Sequence, residues 1–160
     1  MADDLDQVVE SSEPERLATG FEFTEGPLWH RDGFWTFGDL PNNLIYRLAP
    51  GGEPQVFRED TGRANGTTFD LQGRLIMCEG TNRQVTRMDA NGVVAPIAQQ
   101  LDGKRLNTPN DVVGHSSGSI YFTNPGGRLE PSEREIDFSG VHRISPDGTV
   151  TAVITEFEYP

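Results

Sequence analysis

The chain has 160 residues, of which 34% are hydrophobic, and it is rich in turn formers, with 18 glycines and 11 prolines. This length and composition fit a globular domain with a core of its own and exclude a chain that is disordered throughout. Asp and Glu number 25 against 13 Lys and Arg, and the formal net charge of −12 has the wrong sign for a surface that neutralises phosphates. We therefore expect no nucleic-acid partner.

The amino terminus is the most acidic part of the chain. Its first fifteen residues, "MADDLDQVVESSEPE", contain six carboxylates and no basic side chain. This composition predicts that residues 1–15 form a flexible, solvated acidic tail. The sequence contains neither a basic and apolar signal segment nor 18 consecutive apolar residues, so we expect a cytoplasmic protein without a membrane partner.

The chain has one cysteine, Cys78, inside the apolar run "RLIMCEG". It has no second cysteine with which to form an internal disulfide, and the sequence has no CxxC or His/Cys cluster of the zinc-binding kind. We therefore predict a buried thiol on a β-strand.

Short runs of alternating polar and apolar residues, separated by glycine-containing turns, predict an all-β fold. Three of these runs align without gaps around Gly33, Gly73 and Gly118. The aligned runs are "EGPLWHRDGFWTFGD" from Glu25, "NGTTFDLQGRLIMCE" from Asn65 and "NDVVGHSSGSIYFTN" from Asn110. Each run is typical of two strands joined by a tight turn.

A second hairpin follows each of these runs, so every repeat has four strands. The second hairpins begin with "IYRLAPGG" from Ile45, "VTRMDANG" from Val85 and "VHRISPDG" from Val141. Four short strands per about 40 to 50 residues are typical of a β-propeller blade. We predict blades at about residues 25–60, 65–100 and 110–156, with a β-sandwich as the alternative. Because three blades cannot close a ring, we expect a propeller truncated at its C-terminus.

Polar residues recur at both ends of each first hairpin. Glu25, Asn65 and Asn110 each lie eight positions before the turn glycine and open the first strand of their blade. In a propeller this strand lines the central channel, so the three side chains are predicted to converge. A second ring, six positions after the same glycines, consists of Asp39, Glu79 and Asn124. Folding about the turns would pair them with Glu25, Asn65 and Asn110 at about 5 Å.

Carboxylate and amide groups make up this predicted cluster, which contains no His or Cys. Such oxygen donors suit a hard cation such as Ca²⁺ or Mg²⁺ better than zinc. The alternative is that Glu25, Asn65 and Asn110 cap the backbone at the strand starts, as Asx turns do. The residues by themselves leave both interpretations open.

The segments "TEGPLW", "NGTTFDLQGRLIMCE", "NTPNDVV" and "GSIYFTNP" together resemble the senescence marker protein 30, gluconolactonase and luciferin-regenerating-enzyme family, over about residues 20–160. The resemblance implies a six-bladed β-propeller, of which residues 16–160 would form the N-terminal half with about three blades. It also implies a metal-dependent hydrolase that opens a sugar lactone or a related cyclic ester. The implied cofactor is a divalent cation, Ca²⁺ first, with Mg²⁺, Mn²⁺ or Zn²⁺ as alternatives.

The same resemblance assigns roles to individual positions. Glu25 matches the metal-binding Glu of the family, and Asn110 matches an Asn that contacts substrate or metal-bound water and is a second candidate ligand. Thr108 and Arg128 stand at about the positions of two substrate-contacting side chains. Possible further ligands are Asn65, Asp39, Glu79 and Asn124. Two further ligands of the family, an Asn and the Asp that is its usual acid/base, are expected beyond Pro160, so we expect this chain alone to be inactive.

Two other functions remain open on the sequence. The same polar channel face could bind a small molecule or a protein without catalysis, since the propeller fold hosts many functions. The acidic loop "LEPSEREIDF" could serve as an interaction module, although solvated loop is the commoner role. Arg83, just past Glu79, could reach an acidic sugar or lie in solvent.

Overall fold

The computed structural model of the protein describes residues 13–158. Within this range it contains fourteen β-strands and one short 3₁₀ helix, Pro131–Glu133, which confirms the predicted all-β class. Residues 1–12 of the predicted acidic tail lie outside the described range, and residues 13–15 are exposed. No helix in the described part of the chain is long and apolar enough to cross a bilayer.

Three four-stranded antiparallel sheets follow one another along the chain, each with its strands paired in sequence order. The first sheet contains β1 (Thr24–His30), β2 (Phe34–Asp39), β3 (Leu44–Leu48) and β4 (Gln55–Arg58). The second contains β5 (Ala64–Phe69), β6 (Leu75–Glu79), β7 (Gln84–Met88) and β8 (Val94–Ala98). A two-stranded ribbon follows, formed by β9 (Gln100–Leu101) and β10 (Lys104–Arg105). The third sheet contains β11 (Val112–Gly114), β12 (Ile120–Thr123), β13 (Ser139–Ile144) and β14 (Val150–Phe157).

The first hairpin of each sheet turns where the repeat predicts. The three turn glycines have positive φ angles of 84°, 76° and 85°, which only glycine adopts without strain. In each turn, the side chain three positions before the glycine accepts a hydrogen bond from a backbone N–H two positions further on. The donor and acceptor pairs are Asp32 and His30 (3.1 Å), Gln72 and Asp70 (3.0 Å), and Ser117 and His115 (3.1 Å).

The β9–β10 ribbon is absent from the predicted elements. It turns on Asp102 and Gly103, whose φ angles of 50° and 80° are the left-handed pair that a two-residue hairpin requires. Strands of two residues are too short for polar and apolar alternation to be visible in the sequence.

A β-bulge in β1 and another in β5 change the cross-strand pairing at the start of these strands. The pairs formed are Thr24 with Asp39, Glu25 with Gly38 and Ala64 with Glu79. The predicted pairs Glu25–Asp39 and Asn65–Glu79 are therefore wrong by one residue. Because successive residues of a strand point to opposite faces, this shift turns Asp39 and Glu79 away from Glu25 and Asn65.

The sheets pack face to face around two hydrophobic cores. The core between the first and second sheets includes Ile45, Ala64, Leu75 and Met77. The core between the second and third includes Ile76, Cys78, Val112, Ile120 and Phe122. All five residues of β6 are buried because the middle sheet has a neighbour on each face, whereas Trp35 of β2 is 36% exposed. Cys78 is fully buried, as predicted, and this burial raises its thiol pKa well above the usual value.

Candidate functional site

The first strands of the three sheets, β1, β5 and β11, lie side by side. Thr67 Oγ1 donates to Gly26 O at 2.9 Å, and the N–H of Gly66 donates to Asn110 O at 2.7 Å. These contacts make neighbours of three equivalent positions at one end of the sheets. We call them the first-strand row: Glu25, Asn65 and Asn110.

Two amides of the first-strand row are in direct contact. Asn65 Nδ2 donates to Asn110 Oδ1 at 2.7 Å, and Asn65 is only 6% exposed. A carbonyl oxygen has two lone pairs, so Asn110 Oδ1 retains one for a further donor or a cation. Both side chains are directed to each other rather than to the backbone, unlike the predicted Asx-turn alternative.

Glycine follows both Glu25 and Asn65 because the strands approach too closely there for a side chain. A Cβ on Gly26 would overlap the backbone oxygen of Asn65, and a Cβ on Gly66 would overlap Asp111. Gly26 also has a φ of 57°, in the left-handed region that favours glycine. The Glu-Gly and Asn-Gly pairs therefore allow the first-strand row to form.

Glu25 supplies the carboxylate of the row. Its side chain is half-buried and has no hydrogen bond or ion pair within residues 13–158. It lines a cavity of about 480 Å³ whose wall also includes Arg16, Trp35 and Phe37, and neither Asn65 nor Asn110 lines this cavity. Partial burial of a carboxylate is unfavourable unless a ligand, water or cation satisfies it. Glu25 is therefore free to bind one.

Asp39, predicted for the second ring, binds protein groups. Its buried carboxylate accepts hydrogen bonds from the N–H groups of Glu22 and Phe23 at 3.2 Å each, and from Asn42 Nδ2 at 2.9 Å. Burial acts to raise the pKa of Asp39, but these hydrogen bonds outweigh it and hold the pKa below its usual value. Asp39 thus fixes the segment that enters β1.

Glu79, the second member of that ring, is satisfied by four side chains. Its carboxylate accepts hydrogen bonds from Arg58, Asn82 and Gln84 at 2.8 Å each and from Thr86 Oγ1 at 2.9 Å. Burial opposes its ionisation, yet the hydrogen bonds lower the pKa of Glu79. Because Arg58 belongs to β4, this ion pair joins the first and second sheets.

Asn124, the third member, lies in the core. It is fully buried, and neither polar atom of its side chain has a partner among the described residues. His142 is also fully buried, between the rings of Phe122 and Phe138 at centroid distances of 5.2 and 5.7 Å. Burial lowers the pKa of His142 to about 4, so its ring is neutral at pH 7. Because both side chains are fully buried, neither Asn124 nor His142 is accessible from solvent.

A second cavity, of about 460 Å³, is lined by residues that precede the first-strand row in the sequence, and we call it the arginine cavity. Three of its lining residues, Phe23, Arg63 and Thr108, each stand two positions before a member of the row. Arg83 and Arg128 line it as well, so the structure brings the two implied substrate-contacting positions, Thr108 and Arg128, into one cavity. Sequence analysis does not single out Arg63, although its place two residues before the row would indicate it.

The donor set at the row determines which cations it could hold. Within residues 13–158, no three His, Cys, Asp or Glu side chains gather at one place. A cation at the row would take its protein ligands from the Glu25 carboxylate and from amide oxygens such as Asn110 Oδ1. These oxygen donors fit Ca²⁺ or Mg²⁺ and offer no thiolate or imidazole for zinc.

Several known proteins that are similar to the chain are described as gluconolactonases. A gluconolactonase of Zymomonas mobilis subsp. mobilis is 28% identical over 169 residues, which cover 93% of this chain and 48% of that protein. The X-ray structure of a protein assigned as a gluconolactonase aligns with a TM-score of 0.84 at 32% identity, covering 91% of this chain and 53% of the other. XC5397 from Xanthomonas campestris, described as a gluconolactonase, aligns with a TM-score of 0.78 at 31% identity, covering 84% and 48%. The chain spans about half the length of these relatives.

The family model described as the SMP-30/gluconolactonase/LRE-like region matches residues 23–160. The matched range contains all three sheets, the first-strand row and the arginine cavity. Together with the structural likeness, this match confirms the resemblance found in the sequence and the fold of a partial β-propeller. The chain belongs to the SMP-30/gluconolactonase/LRE-like family.

Proposed function

We propose that the protein to which this chain belongs hydrolyses a sugar lactone with the help of a divalent cation, Ca²⁺ first, bound by Glu25 and Asn110. The observation that carries this proposal is the contact between Asn65 and Asn110 at 2.7 Å, at the strand starts next to that of Glu25, whose half-buried carboxylate has no protein partner among residues 13–158. Family membership supports the reaction class, since the relatives described above are gluconolactonases.

Each residue of the row has a distinct task in this proposal. Glu25 contributes negative charge to a cation, and Asn110 contributes a neutral oxygen. Asn65 holds the Asn110 amide in one orientation through its hydrogen bond, so the free lone pair of Oδ1 keeps its direction. When bound, a divalent cation supplies Lewis acidity that stabilises negative charge developing on a carbonyl oxygen.

The proposed reaction also needs side chains that contact the substrate and a side chain that transfers a proton. Thr108 and Arg128 line the arginine cavity and are proposed to contact the substrate. The resemblance places the acid/base Asp beyond Pro160, in the part of the relatives that this chain does not span. The resemblance places a further candidate ligand, an Asn, there as well. We therefore expect a longer form that carries the remaining half to bind the cation and hydrolyse lactone, and the 160-residue chain not to hydrolyse it.

Calorimetric titration of a longer form of the protein with Ca²⁺ tests the cation site. Glu25→Gln removes one unit of ligand charge and is expected to weaken Ca²⁺ binding at least about 10-fold. Glu22→Gln makes the same chemical change at an exposed position and should leave the affinity unchanged. Equal Ca²⁺ affinity in the wild type and Glu25→Gln would remove Glu25 from the site.

A pH-stat assay with glucono-δ-lactone tests the reaction in a longer form of the protein. We expect hydrolysis that EDTA abolishes and that added Ca²⁺, Mg²⁺ or Mn²⁺ restores. Hydrolysis that is insensitive to EDTA contradicts the metal-dependent reaction. Ca²⁺ binding without any hydrolysis contradicts the enzyme and supports a propeller that binds a small molecule without catalysis.

A further inference from the structure

The arginine cavity concentrates positive charge in a strongly acidic protein. Arg63, Arg83 and Arg128 line it, and none of its other lining residues is Asp or Glu. This is unexpected by chance, since acidic side chains outnumber Lys and Arg by 25 to 13 in the chain. Three like charges facing one cavity repel each other unless solvent or an anion screens them. The cavity therefore has the charge of an anion-binding site.

Two of the three guanidinium groups are uncommitted. The side chains of Arg63 and Arg128 are exposed, and neither has a hydrogen bond or ion pair within residues 13–158. The backbone of Arg63 is fixed all the same: its φ is 55°, and its N–H donates to Asn43 Oδ1 at 2.8 Å. The non-glycine left-handed conformation at Arg63 is a strained one that commonly occurs at functional sites.

Arg83 is the fixed cation of the cavity. Its Nε donates to the backbone oxygens of Leu106 and Asn107 at 2.6 and 3.1 Å, and its Nη1 donates to Glu133 O at 3.2 Å. Its Nη2 is buried and has no partner among the described residues. The acceptors are neutral carbonyls, so the hydrogen bonds orient the guanidinium without neutralising it.

Burial and one neighbouring positive charge disfavour the charged form of Arg83. Burial lowers the pKa of Arg83, and the nearby positive charge of Arg105 lowers it further. Glu135 and Glu133 act in the opposite direction without outweighing these effects. The charged form of Arg83 therefore lacks full compensation within the protein, as expected if a ligand supplies the remaining negative charge.

We propose that the arginine cavity binds a negatively charged substituent of the substrate, so that the lactone taken by the neighbouring first-strand row carries a carboxylate or phosphate group. This rests on the proposed lactone hydrolysis for the identity of the ring. Guanidinium groups pair with carboxylates and phosphates through two parallel hydrogen bonds, which fix orientation as well as position. Phe23, Arg63 and Thr108 precede the row by two residues each, so an anion held there leaves the rest of a small sugar beside Glu25 and Asn110.

Binding of three stable sugars to the chain tests this proposal without any hydrolysis. Glucose, glucuronate and glucose 6-phosphate share one ring and differ in their C6 group, which is a hydroxyl, a carboxylate or a phosphate. In calorimetric titrations we expect at least one of the two anions to bind about 10-fold or more tighter than glucose, and the preference to shrink at 1 M salt. The tighter of the two identifies the natural group. Equal affinities for all three, or no binding of either anion, would overturn the proposal.

Charge-removing variants locate the effect in the cavity. Arg63 and Arg128 are exposed, so the variants Arg63→Gln and Arg128→Gln should still fold. Each variant is expected to weaken binding of the preferred anion about 5- to 30-fold and to leave glucose binding unchanged. Lys104→Gln removes an exposed positive charge that does not line the cavity and should change nothing. Equal weakening by all three variants would mean that only overall charge matters and would contradict the cavity as the binding site.

These results separate the two proposals. Anion preference in the chain, with no hydrolysis in any longer form, would retain the arginine cavity as a binding site and reject the lactonase. Chelator-sensitive hydrolysis of glucono-δ-lactone, without anion preference, would retain the lactonase and reject the charged substrate.

Discussion

Glu79→Gln tests whether the buried carboxylate of β6 stabilises the contact between the first two blades. The substitution preserves the shape of the side chain but replaces one acceptor oxygen with an NH₂ group. Four donors face that carboxylate, from Arg58, Asn82, Gln84 and Thr86, at 2.8 to 2.9 Å. Of these four groups only the Arg58 guanidinium has no acceptor, so Glu79→Gln leaves its charge without a carboxylate partner.

The expected loss of stability is large because both members of the ion pair are shielded from water. The side chains of Arg58 and Glu79 are 14% and 1% exposed. Breaking a buried, hydrogen-bonded pair by removing one partner costs about 3–5 kcal/mol, since the other charge stays buried without compensation. Domains are stable by only about 5–15 kcal/mol, so Glu79→Gln should lose about a fifth or more of the free energy of unfolding.

Urea denaturation followed by circular dichroism measures this loss. With a slope of about 1–3 kcal/mol per molar urea, the midpoint should fall by about 1 M or more. Glu59→Gln, at an exposed position directly after β4, is the matched control and should stay within about 0.5 kcal/mol of the wild type. A loss below about 1 kcal/mol in Glu79→Gln would refute the reasoning.

The pH dependence of the stability difference between the wild type and Glu79→Gln gives an independent check. The folded state lowers the pKa of Glu79 below its ordinary value of 4.5, so the unfolded state binds a proton first as the pH falls. The stabilisation by this carboxylate is therefore complete above about pH 4.5 and is lost as the pH falls through the lower folded-state value. The gap between wild type and Glu79→Gln should narrow in that acidic range and stay constant above it.

Two further substitutions test the close approach of β1 to β5 and the burial of His142. Gly26→Ala should destabilise the chain by about 2–4 kcal/mol, because the new Cβ overlaps the Asn65 backbone oxygen and φ is positive, whereas Gly33→Ala, with positive φ but open space, should cost about 1 kcal/mol. Equal losses in urea denaturation would contradict the close approach of β1 and β5. His142 has its pKa lowered from 6.5 to about 4 in the folded state, so the unfolded state binds more protons between these values and stability should fall by about 2 kcal/mol from pH 7 to pH 5. His142→Phe should remove that slope, and parallel curves for wild type and variant would contradict it.

Much of the fold could be predicted because its determinants are local. The positive-φ glycines and the side chains that close the turns recur at fixed spacing, so aligned segments around Gly33, Gly73 and Gly118 indicate strands, hairpins and blades without any long-range information. The buried Cys78 follows from an apolar run alone. The positions of Glu25, Asn65 and Asn110 at equivalent strand starts follow from the same alignment.

The roles of the polar side chains depended on contacts between blades, and these are invisible to a periodic pattern. One extra residue at each bulge shifted Asp39 and Glu79 to the opposite face, where backbone N–H groups and Arg58 satisfy them. A bulge breaks the two-residue period, so register counted from a turn fails beyond it. The arginine cavity likewise joins Arg63, Arg83 and Arg128 from distant parts of the chain. The sequence by itself determined the repeating blades, because turn chemistry acts over a few residues, and only the tertiary structure decided which charges meet, because electrostatic neighbours are set by packing between blades.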